Sequence, residues 1–302
     1  MNRVASVSLQ HSMADAIQRS QQKLAASELQ LATGKKSPDL AGLGATLVPD
    51  LSAHSLAAQQ KAYVTVTKGL ATTLALYDAN ISNVDTVGSS LLATLTDAVG
   101  SKGGAGLGDA ISSAFANFRT SLNASDGGTA LFAGSQTDVQ PFKPQTLTDT
   151  IGAIPATAFA NDNVHASARV ANNLDLKFGV TASELGTGML AAFRTLAEAG
   201  TFGAVPTAAQ AAALTTAIAQ LSSALDGVRG LNAENGNRQA QVDTLATRAQ
   251  DRLTLLAGVI TDTEDADLGQ VAIDLAQQKM VLQASYSVFS QLSGLSLISY
   301  LR

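Results

Sequence analysis

The chain has 302 residues, of which 46% are hydrophobic but only 4% aromatic, with no Trp and no Cys. Disulfide scaffolds, thiolate metal sites and cysteine nucleophiles are therefore excluded, and an apolar content dominated by small residues suits long helices better than a compact enzyme core. A formal net charge of −5, with only 14% charged residues, leaves no basic footprint and so no nucleic-acid partner.

The first 24 residues carry Arg3, His11, Asp15, Arg19 and Lys23, so they lack the apolar core of a cleaved signal peptide. No stretch approaches the ~20 apolar residues of a membrane span, which argues against membrane insertion. Export, if it occurs, is expected to use no cleaved signal.

From Val4 to Thr33 the pattern is helical, with Ile17, Leu24 and Leu31 recurring every seven residues and Met13, Ser20 and Ser27 between them. Gly34 stops this thin-seamed helix, and Ser37-Pro38-Asp39 through Val48-Pro49-Asp50 reads as a turn-rich connector. A second long helix is expected from Leu51 to about Val99, broken by the glycines between Gly103 and Gly108 and followed by a shorter helix over Asp109–Asn123. From Ala124 to Ala182 Gly, Pro, Asn and Asp cluster, and Leu174, Leu176, Phe178 and Val180 alternate with other residues as in a strand. Helical composition resumes at Ser183 and, apart from a break at Gly200–Pro206, continues to about Thr261.

The last segment has the clearest pattern. Leu268, Val271, Leu275, Gln278, Leu282, Ser285, Phe289 and Leu292 alternate three and four apart, a coiled-coil seam of roughly 40 Å at 1.5 Å per residue. The polar members Gln278 and Ser285 weaken it and are expected to help set register. The fold class that follows is mainly α, a long-helix bundle with paired N- and C-terminal coiled-coil helices and a small β-rich insert. Its expected parts are an N-terminal assembly helix (1–36), connector and first helical core (37–123), β-rich insert (124–182), second helical core (183–261) and C-terminal assembly helix (262–302).

Neither terminal helix can be stable alone, because isolated helices are marginal in water. Charge favours an antiparallel pairing of the two. Lys23, Lys35 and Lys36 lie toward the inner end of the first helix, and Asp262, Glu264, Asp265 and Asp267 at the start of the last. Exposed ion pairs contribute at most ~1 kcal/mol each, so these charges would select register rather than supply stability. The same acidic residues also complement the positive end of the last helix, and both roles can hold.

Three stretches carry a resemblance. They are Gln30-Leu31-Ala32-Thr33-Gly34-Lys35-Lys36, then Leu131-Phe132-Ala133-Gly134-Ser135-Gln136-Thr137-Asp138 with Pro141-Phe142, and the ending from Leu282 to Leu301 with its Gly294-Leu295-Ser296-Leu297. In this order they resemble the flagellin superfamily, and within it the proteins of the hook–filament junction. The second stretch is similar to a hairpin of that family. The segment from Asn161-Asp162 to Arg169, followed by Gly179-Val180-Thr181-Ala182, is similar to the family's middle region. The connector departs from the family pattern, with Ser37-Pro38-Asp39-Leu40-Ala41-Gly42 and no double Asp before a Pro.

The resemblance implies a structural subunit that crosses the flagellar export apparatus unfolded, with an export chaperone. It would then assemble outside the cell at the distal end of the hook, between a hook-side junction protein and filament flagellin, in contact with copies of itself. A short filament flagellin is the alternative, and a secreted helical enzyme or binding module the remote one. The assembly seam would comprise Ile17, Leu24, Leu31, Leu268, Val271, Leu275, Leu282, Phe289 and Leu292, and the register charges Lys35, Lys36, Asp262, Glu264, Asp265 and Asp267.

No catalytic, cofactor or metal site is expected. Gly34-Lys35-Lys36-Ser37 follows a helix and lacks the upstream Gly of a phosphate loop. His11, His54 and His165 form no i, i+4 histidine pair and no H-E-x-x-H, and no G-x-S-x-G is present. The acidic run from Asp262 to Asp267 lacks the glycine of an EF-hand loop.

Overall fold

The structure is a computed structural model that describes the backbone of residues 2–298 and the side chains of residues 11–291. The elements in chain order are α1 (Asn2–Thr33), α2 (Leu47–Ser101), α3 (Leu107–Leu122), β1 (Ser125–Asp126), β2 (Thr129–Ala130), α4 (Pro155–Ala158), β3 (Ala166–Ala171), β4 (Leu174–Phe178), α5 (Ala182–Glu198), α6 (Ala208–Glu264) and α7 (Leu268–Ile298). Short 3-10 turns occupy Leu40–Thr46 and Leu147–Thr150. The fold is the expected mainly helical one with a small β insert. Among the described residues no helix is long and apolar enough to cross a membrane.

The connector is shorter than expected. Val48-Pro49-Asp50 lies within α2, whose third residue is Pro49. Proline is tolerated there because the first four N–H groups of a helix have no intrahelical acceptor. Asp39 caps the preceding 3-10 turn by accepting from Gly42 N–H at 2.9 Å.

The chain forms two compact units, one from the sequence ranges 1–60 and 251–302, the other from 61–250. The second is a helical core in which α2, α3, α5 and α6 bury their apolar stripes. Leu74, Ile81 and Leu95 from α2 and Leu214, Leu221 and Leu225 from α6 are at most 1% exposed. Phe118, Phe142 and Phe193 are fully buried, with ring centroids 5.3 Å apart for Phe118–Phe193 and 5.4 Å for Phe118–Phe142. Such offset and edge-on pairs add to the burial of the rings themselves. Gly188 on α5 lets its helix approach α6, since a Cβ there would stand 2.8 Å from that of Ala224. Buried Asn235 donates from Nδ2 to the Leu74 carbonyl at 3.0 Å, a polar peg that fixes α6 against α2.

The insert holds two antiparallel hairpins rather than a larger sheet. β1 and β2 turn through Gly127-Gly128, both at positive φ, as a two-residue hairpin requires. β3 and β4 turn at Asn172-Asn173, with Ala171 opposite Leu174 and a bidentate Arg169–Asp175 pair at 2.8 and 3.0 Å across them. The stretch from Leu131 to Phe142 forms no ladder of its own. It is a chain of turns pinned by buried Phe132 and Phe142, which apolar burial holds in place of a hairpin. Tyr77 meets the Phe132 ring edge-on at 5.1 Å and donates its hydroxyl to the Leu131 carbonyl, and burial pushes its pKa up to about 12.

Candidate functional site

In the first unit α1 and α7 pack as an antiparallel pair. Gly34 terminates α1 at φ +69 and donates its N–H to Gln30 O at 2.8 Å. The next residues form a short antiparallel bridge to the break between α6 and α7. Lys36 N–H donates to Glu264 O at 2.6 Å, and Ala266 N–H donates to Gly34 O at 2.8 Å. Lys35 Nζ lies 3.0 Å from Glu264 Oε2 and 2.6 Å from Asp265 Oδ1. These bonds, to Asp265 first and then Glu264, hold the Lys35 ammonium above its ordinary pKa. His54 and then Lys35 hold Glu264 below the usual carboxylate range.

The remaining acidic residues act differently. Lys36 Nζ donates to the backbone carbonyl of Asp262. Asp267 caps α7, accepting from Gly269 and Gln270 N–H at 3.0 and 3.2 Å. The acidic cluster thus both pairs with lysine and complements a helix start.

Farther along, Ser27 Oγ donates to Gln278 Oε1 at 3.3 Å, and Gln21 Nε2 to the Tyr286 hydroxyl at 2.6 Å. Lys279 and Glu28 stand 3.9 Å apart. On the seam, Ile17, Leu24, Leu275, Leu282 and Phe289 are half-buried and Val271 is buried, whereas Leu31 and Leu268 remain exposed near the bridge. The side chain of Leu292 lies outside the described residues. The pairing is loose, with Arg19, Lys23, Asp274 and Gln278 lining a groove of about 460 Å³ between the helices.

α7 is apolar on more than the face that α1 covers. Ile273, Met280 and Val288, away from the seam, are 63%, 64% and 45% exposed, with Ala276 and Ala284 between them. The outer face of α1 carries Asp15, Gln18 and Gln22, with Leu29 exposed toward its inner end. A helix with apolar residues on opposite sides is normally buried on both, whereas α7 has one apolar side covered by α1 and another exposed.

One polar constellation joins residues far apart in the sequence. Asp50 and His54, one turn apart on α2, converge with Glu264 at the end of α6. Their i, i+4 spacing was legible; the third member, 210 residues away in sequence from His54, was not. His11 is exposed, and His165 approaches Gly179 O at 3.2 Å and Glu184 at 3.3 Å in the other unit.

No family profile and no curated protein matches the chain. Solved structures do. A Vibrio parahaemolyticus chain provisionally described as a flagellar hook-associated protein superposes with a TM-score of 0.61 at 18% identity, over 72% of this chain and 97% of that one. Bacillus cereus FlgL aligns at a TM-score of 0.43 and 15% identity, over 71% of this chain and 96% of its own. The chain shares its fold with the Vibrio protein described as flagellar and hook-associated.

Proposed function

We propose that this chain is a structural subunit of the bacterial flagellum that joins hook to filament. The single observation that carries the reading is the uncovered apolar stripe of α7, set on a helix that is itself only loosely paired. The fold likeness to a protein described as hook-associated and the order of the three sequence stretches support it. The paired ends would complete their burial against copies of the chain, a hook-side junction protein and filament flagellin. Seam residues such as Leu24, Val271 and Leu282 hold the pair, Lys35 with Glu264 and Asp265 sets its register, and the stripe recruits neighbours. The subunit would reach the cell exterior through the flagellar export apparatus, with its chaperone. Its work is mechanical, and no reaction is assigned to it. Marginal ends suit both steps, since they cross a channel unfolded and gain stability when neighbours arrive.

The test is Ile273→Glu with Met280→Glu. The double variant should keep the wild-type helix content yet fail to enter flagella when it replaces the native chain in cells. Normal incorporation would refute the role of the stripe. Negative-stain microscopy of the concentrated wild type separates the two flagellar readings. Monomers or short stacks fit a junction subunit, whereas long filaments would transfer the reading to a filament flagellin.

A further inference from the structure

Asp50 is completely buried, and neither of its carboxylate oxygens has a hydrogen-bond partner. An ionised carboxylate so placed is costly unless a positive charge compensates it. Its Oδ2 stands 3.7 Å from His54 Nε2, and Glu264 Oε1 approaches the same nitrogen at 2.6 Å. The other oxygen of Glu264 belongs to Lys35, which also pairs with Asp265, so this lysine leaves the charge of Asp50 unanswered. Two carboxylates and one imidazole therefore face a common point.

We propose that Asp50, His54 and Glu264 form a binding site for a divalent transition-metal cation of the zinc class. One ligand atom from each residue lies within 4.8 Å of the others. Tetrahedral zinc holds its ligands at ~2.0–2.2 Å, which places them about 3.4 Å apart. The close His54–Glu264 contact would open and the wider separations would contract. Water takes the fourth position, and His54, with its side chain 47% exposed, gives the ion a path from solvent. A mixed nitrogen and oxygen set favours zinc or its neighbours over magnesium and calcium, which prefer oxygen alone. The ion would brace the first turn of α2 to the last turn of α6, beside the bridge that joins the chain ends. The unfolded chain holds no such site, so binding stabilises the folded form by mass action.

Calorimetric titration of the metal-stripped full chain with zinc chloride at neutral pH tests the site, with magnesium chloride as control. One equivalent of zinc should bind saturably and magnesium should not. Asp50→Asn and Glu264→Gln should each weaken zinc at least about tenfold, and His54→Ala should abolish the event. His11→Ala and His165→Ala should leave it unchanged. Circular dichroism verifies the fold of each variant, and Asp50→Asn, which conserves shape, keeps the test decisive if His54→Ala fails to fold. Absence of saturable binding, or binding that survives both Asp50→Asn and His54→Ala, would overturn the proposal.

Discussion

Between Lys61 and Gln250 the chain buries whole rings and long aliphatic stripes; in the unit made from its ends it scarcely buries an apolar residue. Among the described residues, Ala53 and Val271 are the buried hydrophobics of the end unit, and they are outnumbered there by Ser27, Asp50 and Gln60. Val48, Leu255, Met280 and Ile273 of the same unit are all more than 60% exposed. The difference teaches how one chain divides its work. A core with its own hydrophobic interior can be stable before any partner arrives, whereas surfaces like those of α7 reach full burial only against another molecule.

The largest expected effect falls on the core. Phe118→Ala should cost the second unit about 3–5 kcal/mol, as a fully buried ring lost from a packed cluster does. Thermal melting followed by hydrogen exchange in α3 and α5 measures it, and a loss below about 1 kcal/mol would break the contrast. Leu24→Ala, at a half-buried seam position, should cost only about 1 kcal/mol in the monomer. Its amide exchange should rise in α1 and α7 and stay constant in α3, which sharpens the claim that the units are separately stabilised. Lys35→Ala removes two solvent-screened ion contacts and should lower the melting temperature less than Leu24→Ala does. That drop should shrink as salt rises, and a salt-independent effect would assign it to the backbone bridge instead.

The smallest effect is electrostatic and lies in the insert. The Ser135 hydroxyl, then Ser135 and Val164 N–H, hold Asp162 below the ordinary carboxylate range. A depressed carboxylate contributes stability that is present above its unfolded value and is lost as pH falls through its folded one. Acid titration followed by the Ser135 amide signal should therefore show loosening of this turn only well into the acid range. Ser135→Ala should move that transition to higher pH.

Local periodicity made most of the helices legible. The three-four alternation from Leu268 onward and the seven-residue recurrence of Ile17, Leu24 and Leu31 need no distant partner to be read. Gly34 announced the end of α1, and the alternation from Leu174 to Phe178 announced β4. Features made by distant residues stayed hidden. Phe118 and Phe193 come from two helices and Phe142 from the chain of turns, and no spacing rule unites them. Val48-Pro49-Asp50 looked like connector because proline carries the same turn signal whether it precedes a helix or opens one. Asp50, His54 and Glu264 converge because α6 ends beside the first turn of α2 within the end unit, a coincidence of helix lengths that neither segment encodes alone.

The backbone bridge beside Gly34 has a mechanical consequence. Its two hydrogen bonds, from Lys36 to Glu264 and from Ala266 to Gly34, tie the inner ends of α1 and α7 at one level. A tensile force applied to either helix would thus be shared by both at a fixed anchor, as two cables share one shackle. Slippage of one helix past the other would have to break both backbone hydrogen bonds together, which resists sliding even where the seam is thinly packed.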